Sequence, residues 1–126
     1  MADLTNPDSW VSVELLERAL NKFRIGVVQC APSTIPSTLA KDTYYNVTGT
    51  VSSLSLVLPD MDDTTHLHAI SVFFTTGTGT PTVTITSEGS HSISYFSGYS
   101  ISASTTYELN IMWNGTKWIV AYAVVE

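Results

Sequence analysis

The stretch that most constrains the fold of this chain is its C-terminal run, Tyr107 to Glu126. Two alternating apolar segments there flank Asn114-Gly115, a dipeptide suited to a two-residue hairpin turn because both central positions take positive φ. With that pair as the turn, Trp113 is expected opposite Thr116, Ile111 opposite Trp118, Leu109 opposite Val120 and Tyr107 opposite Tyr122. The large side chains then share one face, while Glu108, Asn110, Met112, Lys117, Ile119, Ala121 and Ala123 take the other. A slip of one residue would turn the large set outward, so the alternation specifies which face is buried. A lone hairpin cannot hold such a face in water, and the rest of the chain must cover it.

Upstream, the pattern divides the chain into three parts. Residues 1–30 read as a helical arm: Ser12 is a suitable N-cap, Glu14 and Glu17 lie early where the helix dipole favours acids, and Lys22, Arg24 and Gly26 mark the end. The apolar residues Val13, Leu16, Leu20 and Phe23, widened by Leu15 and Ala19, form a stripe on a helix from Val13 to about Arg24. Either it packs on the edge of the chain's own sheet, or it forms a short seam with copies of itself. Fewer than two heptads make no independent coiled coil. Ile25–Cys30 can be a first strand, and residues 31–42, with Pro32 and Pro36, read as a Pro/Ser/Thr linker.

From residue 43 to 126 the period is two. Candidate strands are Thr43–Thr50, Leu54–Leu58, Leu67–Thr75, Thr82–Ser87, Ser90–Phe96, Tyr99–Ser102, Thr106–Trp113 and Thr116–Val125, separated by turn formers. The Glu88-Gly89 turn is expected to join the fourth and fifth of these as a second hairpin. The pattern predicts a mainly β chain, an antiparallel β-sandwich of jelly-roll type with one N-terminal α-helix.

Composition narrows the function. The chain has 126 residues, 13% charged against about a quarter in ordinary soluble domains, and a formal net charge of −6. Serine and threonine replace surface charge in the β region, as suits exposed strand faces. Beyond Lys41 the only basic residue apart from histidine is Lys117, which argues against nucleic acid as a partner. The single Cys30 excludes an intrachain disulfide framework and reads as a small buried hydrophobe. The N-terminus lacks the basic and apolar regions of a signal peptide, and no apolar run is long enough for a membrane span. Synthesis in a cytoplasm is therefore expected, with Asn46 and Asn114 unglycosylated.

Candidate chemistry is sparse. His66-Leu67-His68 places two imidazoles at i, i+2 with Asp60, Asp62 and Asp63 just upstream. A metal there would need a third ligand from His91 or an aspartate; the rival reading is a solvated acidic turn running into a strand. The aspartates lack the spacing of a calcium loop. No nucleophile elbow, phosphate loop or cleft-forming carboxylate pair is evident, so no enzymatic activity, cofactor or metal is expected. Tyr44, Tyr45, Tyr95, Tyr99 and the two C-terminal tryptophans could form a sugar-stacking platform, but alternation assigns Trp113 and Trp118 to the buried face with Leu109 and Val120.

Several phrases carry a family resemblance: Leu58-Pro59-Asp60; Ile70-Ser71-Val72-Phe73-Phe74-Thr75-Thr76-Gly77; Pro81-Thr82-Val83-Thr84-Ile85; Thr106-Tyr107-Glu108-Leu109-Asn110-Ile111; and Trp113-Asn114-Gly115-Thr116-Lys117-Trp118. Over about two-thirds of its length, the chain resembles the β-sandwich domains of tailed-bacteriophage virion proteins: head fibres, capsid decoration proteins and tail fibres. The resemblance implies a non-enzymatic virion protein, a homotrimer that contacts other capsid or tail proteins through an N-terminal segment. Val13, Leu16, Leu20 and Phe23 would then serve assembly or anchoring. The absence of repeats or a long stalk favours a head fibre or decoration subunit. A carbohydrate-binding module of an adsorption apparatus, using Tyr44, Tyr95 and Tyr99 on a host glycan, is the alternative. A cupin-type metal enzyme built on His66 and His68 is a third and weaker one.

Overall fold

The computed structural model describes residues 25–126, which form a mainly β body of eight strands. The strands are β1 (Gly26–Cys30), β2 (Thr43–Val51), β3 (Ser53–Leu58), β4 (His68–Thr76), β5 (Thr82–Ser87), β6 (Ile93–Tyr95), β7 (Thr106–Trp113) and β8 (Trp118–Val125). The expected helix from Val13 to about Arg24, with Val13, Leu16, Leu20 and Phe23, lies outside the described residues.

The strand positions follow the alternating pattern closely, but the pairing differs from expectation. A six-stranded sheet runs β1-β2-β4-β7-β8-β6 and a two-stranded sheet pairs β3 with β5. Only β4–β7 and β7–β8 are antiparallel; β1–β2, β2–β4, β3–β5 and β6–β8 are parallel. The expected antiparallel jelly roll is thus corrected to stacked parallel rungs of the solenoid type.

The reason lies in two corners. Between β2 and β3 the chain turns at Ser52, and between β4 and β5 at Gly77–Pro81. The second corner stacks on the first: Gly77 N–H donates to Val51 O at 3.1 Å and Thr82 N–H to Ser52 O at 3.0 Å. Each β–corner–β unit therefore lies in register on the one before it, Tyr45 against Val72 in one sheet and Leu56 against Ile85 in the other.

The second hairpin is corrected in the same way. Glu88–Ser90 is a short 3-10 turn with Gly89 at φ 69, and it carries the chain from β5 to the other sheet, where β6 lies parallel to β8. The segment Tyr99–Ser102 is not a strand.

One hydrophobic cluster joins the two sheets. It includes Leu54, Leu56 and Leu58 of β3, Ile70, Val72 and Phe74 of β4, Tyr107, Leu109, Ile111 and Trp113 of β7, and Trp118 and Val120 of β8. Each of these residues would contribute about 1.5–3 kcal/mol relative to exposure. Cys30 is buried as expected, and burial raises its thiol pKa.

Residues 31–42 are tied to this body. Leu39 is buried in the cluster and its N–H donates to Val57 O at 2.8 Å, while Ala40 N–H donates to the Tyr45 hydroxyl at 2.7 Å.

Candidate functional site

The C-terminal hairpin buries the side chains that the alternation selects, in a different register. Trp113 pairs with Trp118, Ile111 with Val120, Leu109 with Tyr122 and Tyr107 with Val124. The loop is therefore Asn114–Lys117, four residues rather than two. Asn114 Oδ1 explains it: this one oxygen accepts from Thr116 N–H, Thr116 Oγ1 and Lys117 N–H, at 2.9–3.0 Å. An asparagine side chain that closes the turn in this way replaces the backbone turn. The shift moves the pairing by two residues, so each side chain keeps its face.

The loop 59–67 wraps over this hairpin tip. Trp113 Nε1 donates to Asp63 O at 2.6 Å, and Gly115, at φ +94, lies so close to Thr64 that a Cβ would come within 2.8 Å of its carbonyl oxygen. The His91 ring meets Trp113 edge-on with centroids 5.0 Å apart.

All three histidines of the sequence are paired with aspartates at this end. His68 is held from both sides: Nδ1 lies 2.8 Å from Asp42 Oδ2 and Nε2 lies 2.9 Å from Asp63 Oδ2. With a carboxylate at each ring nitrogen, both nitrogens donate and the imidazolium is the favoured form. The hydrogen bonds that His68 donates to Asp63 and Asp42 raise its pKa, against some desolvation. The same His68 contact, then Thr65 N–H, pulls Asp63 far below the usual carboxylate range. For Asp42, desolvation acts upward but is outweighed by the bonds from His68 and Ala69 N–H, and the net shift is downward.

His66 Nδ1 turns onto Asp63 Oδ2 at 3.0 Å with its side chain 75% exposed, in the bend before β4. His91 Nε2 faces both Asp60 Oδ1 at 2.7 Å and Met61 N–H at 3.2 Å. It donates to the first when protonated and accepts from the second when bare.

The structure thus brings His66 and His68 to one shared carboxylate, Asp63, and joins His91 to Asp60. Among the described residues no group of three or more His, Cys, Asp or Glu side chains is arranged to hold a metal ion. Both His68 nitrogens are occupied by carboxylates, and Thr65 Oγ1 meets the same His66 nitrogen that Asp63 does. The chemical competence of the cluster is to clamp three segments electrostatically: Asp42 before β2, the 59–67 loop, and the start of β4. Asp42, at φ 57, had no signal that linked it to His68 across 26 positions of sequence. Asp63 could have been anticipated, because Asp-Thr-Thr-His is a natural Asx turn, with Asp63 Oδ1 accepting from Thr65 and His66 N–H.

The candidate sugar-binding tyrosines are divided. Tyr95 and Tyr99 meet at a tilt with ring centroids 4.7 Å apart, beside Phe96, which is 54% exposed. Tyr99 also meets Tyr122 edge-on, and Tyr122 OH donates to Gly98 O at 2.8 Å. Burial first, then the neighbouring tyrosines, pushes Tyr99 up to about 12. Tyr44 lies elsewhere, on β2, with its hydroxyl donating to Glu108 Oε1 at 2.7 Å; desolvation and then that carboxylate push it up to about 12.

No helix among the described residues is long and apolar enough to cross a membrane. Comparison with protein-family models, with characterised proteins and with solved structures returns no match.

Proposed function

We propose that the chain is a non-enzymatic structural subunit of a bacteriophage virion, a homotrimeric head fibre or capsid decoration protein in contact with other virion proteins. The observation that carries this reading is the use of the chain's most distinctive residues. Trp113 and Trp118 pack against each other at a tilt inside the shared core, with ring centroids 5.4 Å apart, and the polar residues at the hairpin end serve to clamp loops. Val13, Leu16, Leu20 and Phe23 are the residues proposed for assembly or anchoring.

Mass spectrometry and antibody labelling of purified phage particles test the location. Light scattering of the isolated chain tests the trimer, and a monomer at micromolar concentration would refute that part.

A second reading, glycan binding in an adsorption apparatus, is favoured by the exposed pair Tyr95 (44%) and Phe96 (54%) beside Tyr99. Aromatic faces of this kind stack on sugar rings. Titration with host-wall polysaccharide, compared with Tyr95→Ala and Tyr99→Ala, separates the two readings.

A further inference from the structure

Among the described residues, eight large hydrophobic side chains are exposed, and seven of them lie at the two opposite edges of the six-stranded sheet. Ile25, Val27 and Val28 stand at or just before β1. Tyr95, Phe96, Val124 and Val125 stand at the other edge, where β6 ends against β8. The two-stranded sheet differs: β5 exposes Thr82, Thr84 and Thr86.

Both edges also have backbone groups to offer. Among the described residues the backbone of β1 is bonded to β2 alone, so its far side is open. On β8, Trp118 N–H donates to Ser92 O at 3.0 Å and Val120 O accepts from Phe96 N–H at 2.9 Å. Alternate residues of a strand turn these groups to the same side, so Tyr122 and Val124 present theirs to the same edge, past the end of β6, where no described residue meets them. Sheet edges are ordinarily guarded by lysine, proline or a bulge. Residues 25–30 and 121–125 contain no charged residue and no proline. In a chain of formal net charge −6, these neutral strips are where two copies can meet without repulsion.

We propose that copies of this chain join head to tail into one continuous sheet, with β1 of one copy adding beside Tyr122 and Val124 on β8 of the next. One such contact covers both edges, whereas pairing of like edges leaves the other kind bare. β8 is reached from β4 by two antiparallel steps and so runs the same way as β1. Copies turned about the strand direction keep that sense, and the added strand is parallel to β8, as β6 is. Val28 shares a row with buried Tyr45, and Val124 with buried Tyr107. Keeping both on the core side, with Gly26 beside Tyr122 just past Phe96, sets Val28 of one copy beside Val124 of the next. Contacts between unlike patches repeat until the ring closes, at three copies for the homotrimer proposed above. The contact rests on that reading of self-association and not on a virion role.

The test uses the full-length chain with Cys30→Ala, carrying Val28→Cys, Val124→Cys or both, and a short bifunctional thiol reagent. The doubly substituted chain is expected to cross-link into a closed trimer, and a mixture of the two single variants into a dimer of one of each. Each single variant alone stays uncrosslinked. Within one chain β1 and β8 are four strand spacings apart, about 19 Å at ~4.8 Å each, beyond the reach of the reagent. Cross-linking of a single variant with itself would mean that like edges pair. Cross-linking no greater than that of Val28→Cys with Thr84→Cys, on the other sheet, would mean that the edges stay apart. Either result overturns the proposal. In a second arm, Val27→Lys and Val124→Lys are each expected to weaken self-association about tenfold or more, with circular dichroism unchanged and Thr84→Lys as the control. A trimer by light scattering that is indifferent to both lysines would overturn the edge contact and leave the trimer standing. A monomeric parent chain would remove both.

Discussion

Trp113 donates its indole N–H to the carbonyl of Asp63 at 2.6 Å, and this bond ties the tip of the C-terminal hairpin to the acidic loop that covers it. Its neighbour Trp118 is fully buried with an N–H that has no partner among the described residues. The two indoles therefore differ in what a phenylalanine would remove. Trp113→Phe is expected to cost about 1 kcal/mol more than Trp118→Phe, because only the former breaks a hydrogen bond and strands a carbonyl. Urea unfolding of the two variants measures the difference, and equal midpoints would contradict it.

The His68 clamp predicts a stability maximum bounded on both sides. His68 has its pKa raised on folding, so its contribution is complete below the unfolded histidine value, about 6.5, and fades as pH rises through the higher folded value. Asp63 and Asp42 have theirs lowered, so their contribution is complete above about 3.9 and fades as pH falls through the lower folded values. Thermal unfolding should be most resistant between those limits. In His68→Gln the alkaline decline attributable to the clamp should disappear; a profile parallel to that of the parent chain would rule the clamp out as its cause.

Gly115 is the one position of the hairpin loop at positive φ, and its missing Cβ leaves room for the Thr64 carbonyl. Gly115→Ala meets both obstacles, since an L residue is strained there and the obstruction is backbone. A loss of about 1–3 kcal/mol is expected. Gly79→Ala, with open space around it and no positive φ, is the control and should be nearly neutral.

Tyr45 fastens the 31–42 segment through its hydroxyl, which accepts the Ala40 N–H at 2.7 Å. Tyr45→Phe keeps the ring in the core and removes that acceptor, at an expected cost of about 1 kcal/mol. Hydrogen exchange at Ala40 should accelerate, while Leu39, bonded to Val57 O, retains most of its protection.

Strand positions were legible because they are local. The alternation from Thr106 to Trp113 placed β7 to the residue, and Thr82–Ser87 was found in the same way. Pairing was not legible, because a parallel partner leaves no mark beside the strand it meets. Val72 finds Tyr45 and Ile85 finds Leu56 only through the stacked corners at Ser52 and Gly77. Gly89, with Glu88 before it, looks like a hairpin turn, and its local chemistry does not reveal that the chain there leaves one sheet for the other. In the final hairpin the faces were read correctly and the loop length was not, because the Asn114 side chain outcompeted the two-residue turn. At the histidine end, His66 and His68 resembled a ligand pair; the anion that holds His68 from the far side, Asp42, comes from a loop that the linear pattern does not connect to it.

One consequence of the sheet order concerns mechanical load. β1 and β8 point the same way, since both run parallel to β4, the latter through two antiparallel steps by way of β7. The beginning of β1 and the end of β8 therefore emerge from opposite ends of the sheet. Tension applied between residues 25 and 126 would pull along the strands and load the interstrand hydrogen bonds in shear, many at once, rather than peel them apart singly. A body strung in this way resists extension as a unit.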